Sequence, residues 1–105
     1  MTISVAKQFS EFPAGRYYDD GPYPGEKFRK EFLVPALKAG GKVLVDLDGT
    51  MGYGSSFLEE AFGGLVRDEG FAVDDLERRL RIHSTSDPSL VTEVWQYITD
   101  ASRVA

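Results

Sequence analysis

Apolar positions change period several times along the chain, and each change marks an element. Residues 3 to 9, "ISVAKQF", alternate apolar and polar and predict a strand. Residues 10 to 25, "SEFPAGRYYDDGPYPG", carry three prolines and three glycines and predict turns, with a short strand at Arg16-Tyr17-Tyr18. From Gly25 or Glu26 the spacing becomes helical: Phe28, Phe32 and Leu33 share a face, Pro35 breaks or kinks the helix, and Gly40-Gly41 ends it. "KVLVDL" follows, a nearly continuous apolar run of the kind found inside a sheet. Phe57, Leu58, Ala61, Phe62, Leu65 and Val66 then define a strongly amphipathic helix over about 56 to 69. Gly63-Gly64 inside it costs about 1 kcal/mol per glycine against alanine, and close approach of helix to sheet is the expected reason. A helical turn at 74 to 79 leads to a last strand, "LRIHST". Asp87 caps and Pro88 starts a final helix with Leu90, Val91, Val94, Trp95, Ile98 and Ala101 on one face.

The order is strand, helix, strand, helix, strand, helix. It predicts an α/β domain with neighbouring parallel strands in a mostly parallel or mixed sheet. Ligand or signal sites in such sheets lie at the carboxyl ends of the strands. "DLDGTMGYGSS", residues 46 to 56, falls at that edge.

Composition narrows the function. At 105 residues, 42% of them hydrophobic, the chain makes one domain, 1–105, with little room for a cap or lid. It has no cysteine, which excludes thiolate chemistry and disulfides. No signal peptide and no membrane span are read from it, so a cytoplasmic protein is expected. A net charge of −5 speaks against nucleic acid. The basic cluster Arg78-Arg79-x-Arg81 reads as a solvated helix face, and His83, the single histidine, as a structural residue.

Two kinds of chemistry compete at the 46 to 56 edge. "VLVDLDGT" resembles the opening motif of phosphoaspartate phosphatases, with Asp46 as nucleophile, Asp48 as acid, Mg²⁺ between them, and Ser84 or Ser86 as the later hydroxyl. The rest of that machinery is missing. No lysine follows Lys42, and the acidic pair Asp74-Asp75 precedes the last strand. The simpler expectation is that Asp46 and Asp48 bond the backbone of the turn while Gly49 supplies a positive φ. The second chemistry is a serine switch. Ser56-Phe57-Leu58-Glu59 reads as a capping box. A phosphate on Ser55 or Ser56 would face the positive end of a helix dipole and add about −1.5 to −2 charges.

The strand, Asp-Leu, turn, serine pair and apolar helix resemble the STAS domain of anti-sigma factor antagonists. There a serine within Asp-Ser-Ser-Gly is phosphorylated by a GHKL-type kinase. The resemblance places that stretch on Gly54-Ser55-Ser56-Phe57, with Ser55 as phosphoacceptor, Gly54 replacing the Asp and Phe57 the Gly. "FPAGRYYDDGPYPGEKFRKEFLVPAL" and "VDLDGTMGYGSSFLEEAFGGLVR" are more closely similar to the STAS-like domains of unassigned function, small bacterial proteins, some paired with histidine-kinase-like ATPases. The resemblance implies a small single-domain STAS-like fold with helices mainly on one face of the sheet. It implies a non-enzymatic, signalling role without cofactor or metal, exerted on a GHKL-type ATPase or kinase. The contacts would come from Asp48, Gly49, Thr50, Gly52, Tyr53, Gly54, Phe57 and Glu60. Arg16 would support them by pairing with Asp46 or Asp48, and Tyr17, Tyr18 and Tyr23 by covering the turn. The alternatives are the Mg²⁺-dependent hydrolase and a scaffold or oligomer-forming domain.

Overall fold

The apolar run at 43 to 46 forms the central strand, β2 (Val43–Asp46), of a three-stranded sheet. It lies between β1 (Thr2–Ser4) and β3 (Leu80–His83), parallel to both. The computed structural model describes residues 1–103. Alternation along the strands sorts side chains onto two faces. Ile3, Val43, Val45 and Leu80 are buried under the helices, while Leu44 on the opposite face is 37% exposed. The helices therefore cover one face, as expected for the STAS-like arrangement, and the other face is open. Parallel sheets are usually covered on both faces.

Helix α1 spans 25–38 without interruption: Gly25–Phe28, a π turn at Arg29–Leu33, then Val34–Lys38. The expected break at Pro35 does not occur. Val34 N–H reaches back five residues to the Arg29 carbonyl, so the helix is already widened where Pro35 contributes no donor. Gly40 and Gly41 end it with positive φ. Helix α2 spans 55–67 and also contains a π turn, at Glu59–Gly63. The short α3 (Val73–Arg79) leads into β3, and α4 (Ser89–Ala101) closes the domain. Pro88 takes the cap position of α4 rather than its first helical one, and Asp87, one residue earlier, accepts from the Ser89 N–H and hydroxyl. Phe28, Leu33, Phe57, Phe62, Leu65, Val94 and Ile98 fill the space between helices and sheet. Phe9 packs 5.2 to 5.5 Å, centroid to centroid, from Phe28, Phe32 and Tyr23.

Several local expectations are corrected. The first strand stops at Ser4, and Val5–Phe9 forms a single π turn closed by Ser10 N–H on the Val5 carbonyl. The Ser4 hydroxyl accepts from Lys7 N–H, and Gln8 Oε1 accepts from Ser4 N–H at 2.6 Å. These local bonds satisfy the backbone in place of a longer ladder. Residues 16 to 18 form no strand; Tyr18–Asp20 is a 3₁₀ turn whose Asp20 carboxylate accepts from the N–H groups of Arg16 and Tyr17. Arg79 is not a solvated face residue either. It grips Asp75 and donates to the Leu37 and Gly41 carbonyls, tying α3 to the end of α1.

The glycine pair in α2 has a different purpose from the one its spacing suggests. A Cβ on Gly64 would sit 2.2 Å from the Arg29 guanidinium, and one on Gly63 would meet the Glu59 carboxylate and the Tyr97 carbonyl. The close neighbours are thus a side chain of α1 and the backbone of α4 rather than the sheet. Gly25 shows the same close fit from the other helix, since a Cβ there would lie 2.4 Å from the Phe57 carbonyl.

Candidate functional site

The 46 to 56 segment leaves the carboxyl end of β2 as two stacked turns. Asp46 Oδ1 accepts from the Asp48 N–H at 3.0 Å, the short-range turn bond expected of that residue. Gly49 follows with φ +95°, and a Cβ there would also press on Ala6. Asp48 reaches across to the loop after β3. Its carboxylate accepts from Thr85 N–H at 2.9 Å, Ser86 N–H at 3.1 Å and the Ser86 hydroxyl at 3.0 Å. The Ser86 and Thr85 amides pull its pKa down to about 2. Ser86 is thereby committed to Asp48, and the Ser84 hydroxyl, nearly buried, accepts from Asp87 N–H.

The second turn is held from two sides. Met51 N–H donates to the Glu11 carbonyl at 2.8 Å, and Gly52 N–H to the Thr50 hydroxyl at 3.3 Å. The Tyr53 hydroxyl donates to the Leu47 carbonyl at 2.7 Å. Burial raises its pKa to about 12. Gly49, Met51, Gly52, Gly54, Ser55 and Ser56 are exposed, and Met51 is 78% exposed. Phe12, 65% exposed, follows the Glu11 that Met51 bonds, so two bare apolar side chains stand on loops joined by a backbone hydrogen bond.

The capping box at Ser56 is not formed. Helix α2 begins one residue earlier, with Gly54 at the cap position and no side-chain cap. Glu59 is drawn instead to Arg16 and to Arg67, the latter at 2.6 Å. Arg16 therefore pairs with Glu59 and Glu60, not with Asp46 or Asp48. Burial alone would raise the Glu59 pKa; hydrogen bonds from Arg67 and Arg16 overturn that and lower it. The tyrosines also lie elsewhere. Tyr18 donates to Glu31 of α1 at 3.0 Å, Tyr23 packs edge-on against Phe9, and Tyr17 lines a cleft with Arg29 and Arg67. Phe57 and Glu60, expected among the contact residues, have buried side chains and shape the edge from beneath.

Arg29 escaped the sequence reading. It is 2% exposed and donates from Nη1 to the Glu60 carbonyl at 2.6 Å and carboxylate at 2.7 Å, and from Nε to Glu69 at 2.9 Å. Burial would lower its pKa, but the carboxylates of Glu60 and Glu69 raise it. Each member of the Arg29–Glu60 pair sits on a π turn. The signals for it were a basic residue beside Phe28, four before Leu33 on an apolar face, and a glycine pair across from it.

A one-sided parallel α/β domain with a structured turn-and-serine edge at the strand ends defines the class. The family model for the STAS-like domain of unknown function matches residues 24–90, and the chain belongs to that family. The match takes in the 46 to 56 edge and begins at Pro24, so Arg16 and the Tyr17-Tyr18 pair lie outside it. No curated protein and no solved structure matches the chain. Among the described residues, no helix is long and apolar enough to cross a membrane.

Proposed function

We propose that this domain is a non-enzymatic regulatory module that docks a GHKL-type ATPase or kinase through the 49 to 56 edge, with Ser55, then Ser56, as phosphoacceptor. One observation carries the reading: two serines stand exposed at a helix start without serving as its cap, at the end of a turn that bears the bare side chain of Met51 and is hydrogen-bonded to the loop bearing Phe12. Exposed apolar side chains rimmed by polar groups favour a protein contact. A phosphate there would face the first amides of α2 and add charge beside a chain already at −5. The phosphatase alternative is disfavoured by Asp48. Its carboxylate already accepts from the Thr85 and Ser86 amides and the Ser86 hydroxyl, which favours the charged form, and a general acid must carry a proton.

The test uses a GHKL-type ATPase from the same genome, incubated with the chain and ATP and followed by intact mass. Expected is the gain of one phosphoryl group, lost in Ser55→Ala, and partner binding weakened about tenfold or more in Ser55→Asp, a difference of about 1.4 kcal/mol. No mass gain together with unchanged binding of Ser55→Asp removes the switch.

A further inference from the structure

The strand register assembles a polar row on the open face. Ser4, Asp46 and His83 are direct neighbours across β1, β2 and β3, at the carboxyl end of each strand. Period-2 alternation turns all three away from the helices once Ile3 and Val45 face them. Asp48 comes back over the same place from two residues past β2. One carboxylate oxygen from each aspartate and one imidazole nitrogen of His83 lie within 4.8 Å of one another.

The geometry points to a divalent transition-metal site held by Asp46, Asp48 and His83. Donor atoms around an ion at about 2.0–2.2 Å are at most about 4.4 Å apart, so small side-chain rotations close the set. The two carboxylates are oriented in advance by backbone amides, which leaves the exposed His83 ring as the part that moves most freely. Asp46 Oδ1 is held by the Asp48 amide, and Asp48 by the Thr85 and Ser86 amides. Among the described residues, Asp46 Oδ2 takes no hydrogen bond and remains available to an ion. His83 is half exposed, with Nε2 2.9 Å from the Thr85 hydroxyl and 3.4 Å from Asp48 Oδ2. A nitrogen donor beside two carboxylates suits Mn²⁺, Fe²⁺ or Zn²⁺ better than Mg²⁺ or Ca²⁺, which take oxygen ligands. Three protein ligands leave the other positions to water, next to a cleft lined by Ser4, Lys7, Glu11 and Gly49. A bound ion would cross-link β2 to β3, and it needs no protein partner.

Mn²⁺ titrated into the whole chain tests this, by calorimetry and by paramagnetic broadening of the His83 ring signals, which are unambiguous because the chain has one histidine. Expected is one ion per chain, with the His83 signals broadened first. His83→Gln and Asp46→Asn should each weaken binding at least about tenfold, since even outer-shell partners of a metal contribute that much. Absence of saturable binding at millimolar Mn²⁺, broadening centred elsewhere, or variants that bind like the wild type overturns the site. Should a variant misfold, the wild-type broadening pattern alone decides.

Discussion

Arg29→Met probes the feature on which the α1–α2 contact rests. The substitution keeps much of the side-chain length but removes three short hydrogen bonds, two to Glu60 and one to Glu69. Breaking a buried ion pair from one side costs about 3–5 kcal/mol, because the remaining charge stays desolvated. Here Glu60 is 3% exposed but keeps Arg16 and Arg67 at 3.2 and 3.3 Å on its other oxygen. That partial compensation places the loss near the lower bound, about 3 kcal/mol. With an unfolding entropy of about 2.1 cal/mol/K per residue, the 105-residue chain should lose roughly 14 °C in Tm. Urea unfolding followed by circular dichroism gives the free energy directly. A double-mutant cycle with Glu60→Gln should show a coupling of about 0.5–3 kcal/mol, the range for residues in one network. A loss below about 1 kcal/mol, or strictly additive variants, would show that the pair contributes nothing specific to the helix contact.

Other expectations follow from single contacts. Gly25→Ala places a methyl against the Phe57 carbonyl, which the backbone cannot easily yield, and should cost about 1–3 kcal/mol in the same unfolding assay; a neutral result would mean the helices separate freely. Asp48 has a folded pKa depressed to about 2, so its contribution to stability is present above the ordinary carboxylate range and is lost as pH falls from about 4 toward 2. Asp48→Asn should therefore flatten that part of the stability-versus-pH curve, and an unchanged acid limb would refute the assignment. Tyr53 is raised to about 12; its neutral form stabilises the fold below pH 10 and that contribution disappears as pH rises toward 12. Absorbance titration should show the late-titrating phenol vanish in Tyr53→Phe. Met51→Ser and Phe12→Ser, both at exposed positions, should leave stability within about 0.5 kcal/mol of wild type while weakening partner binding; a large stability loss would mean the side chains are packed.

Long-range periodicity made the three main helices and the central strand legible. Phe57 to Val66 repeat at helical spacing and do form the buried stripe of α2. The belonging to a STAS-like family was legible too, from two blocks, one of which lies wholly within the matched residues. Local competition hid other features. "ISVAKQF" alternates like a strand, but Ser4 and Gln8 side chains satisfy the backbone first and turn the chain after three residues. Ser56-x-x-Glu59 has the letters of a capping box, yet the two arginines, Arg16 and Arg67, outcompete the backbone for Glu59. Arg16 comes from 43 residues away, a partner no local pattern can disclose. The Ser4–Asp46–His83 row needs the strand register, which depends on tertiary pairing of segments some 40 residues apart.

The most direct test of the regulatory reading is a hydrogen-exchange footprint of the complex with the GHKL-type ATPase. The 49 to 56 turn and the 10 to 12 loop should gain protection together, with α4 unchanged. Protection confined to α4 or to the open sheet face, with the serine edge exchanging as in the free chain, would contradict it.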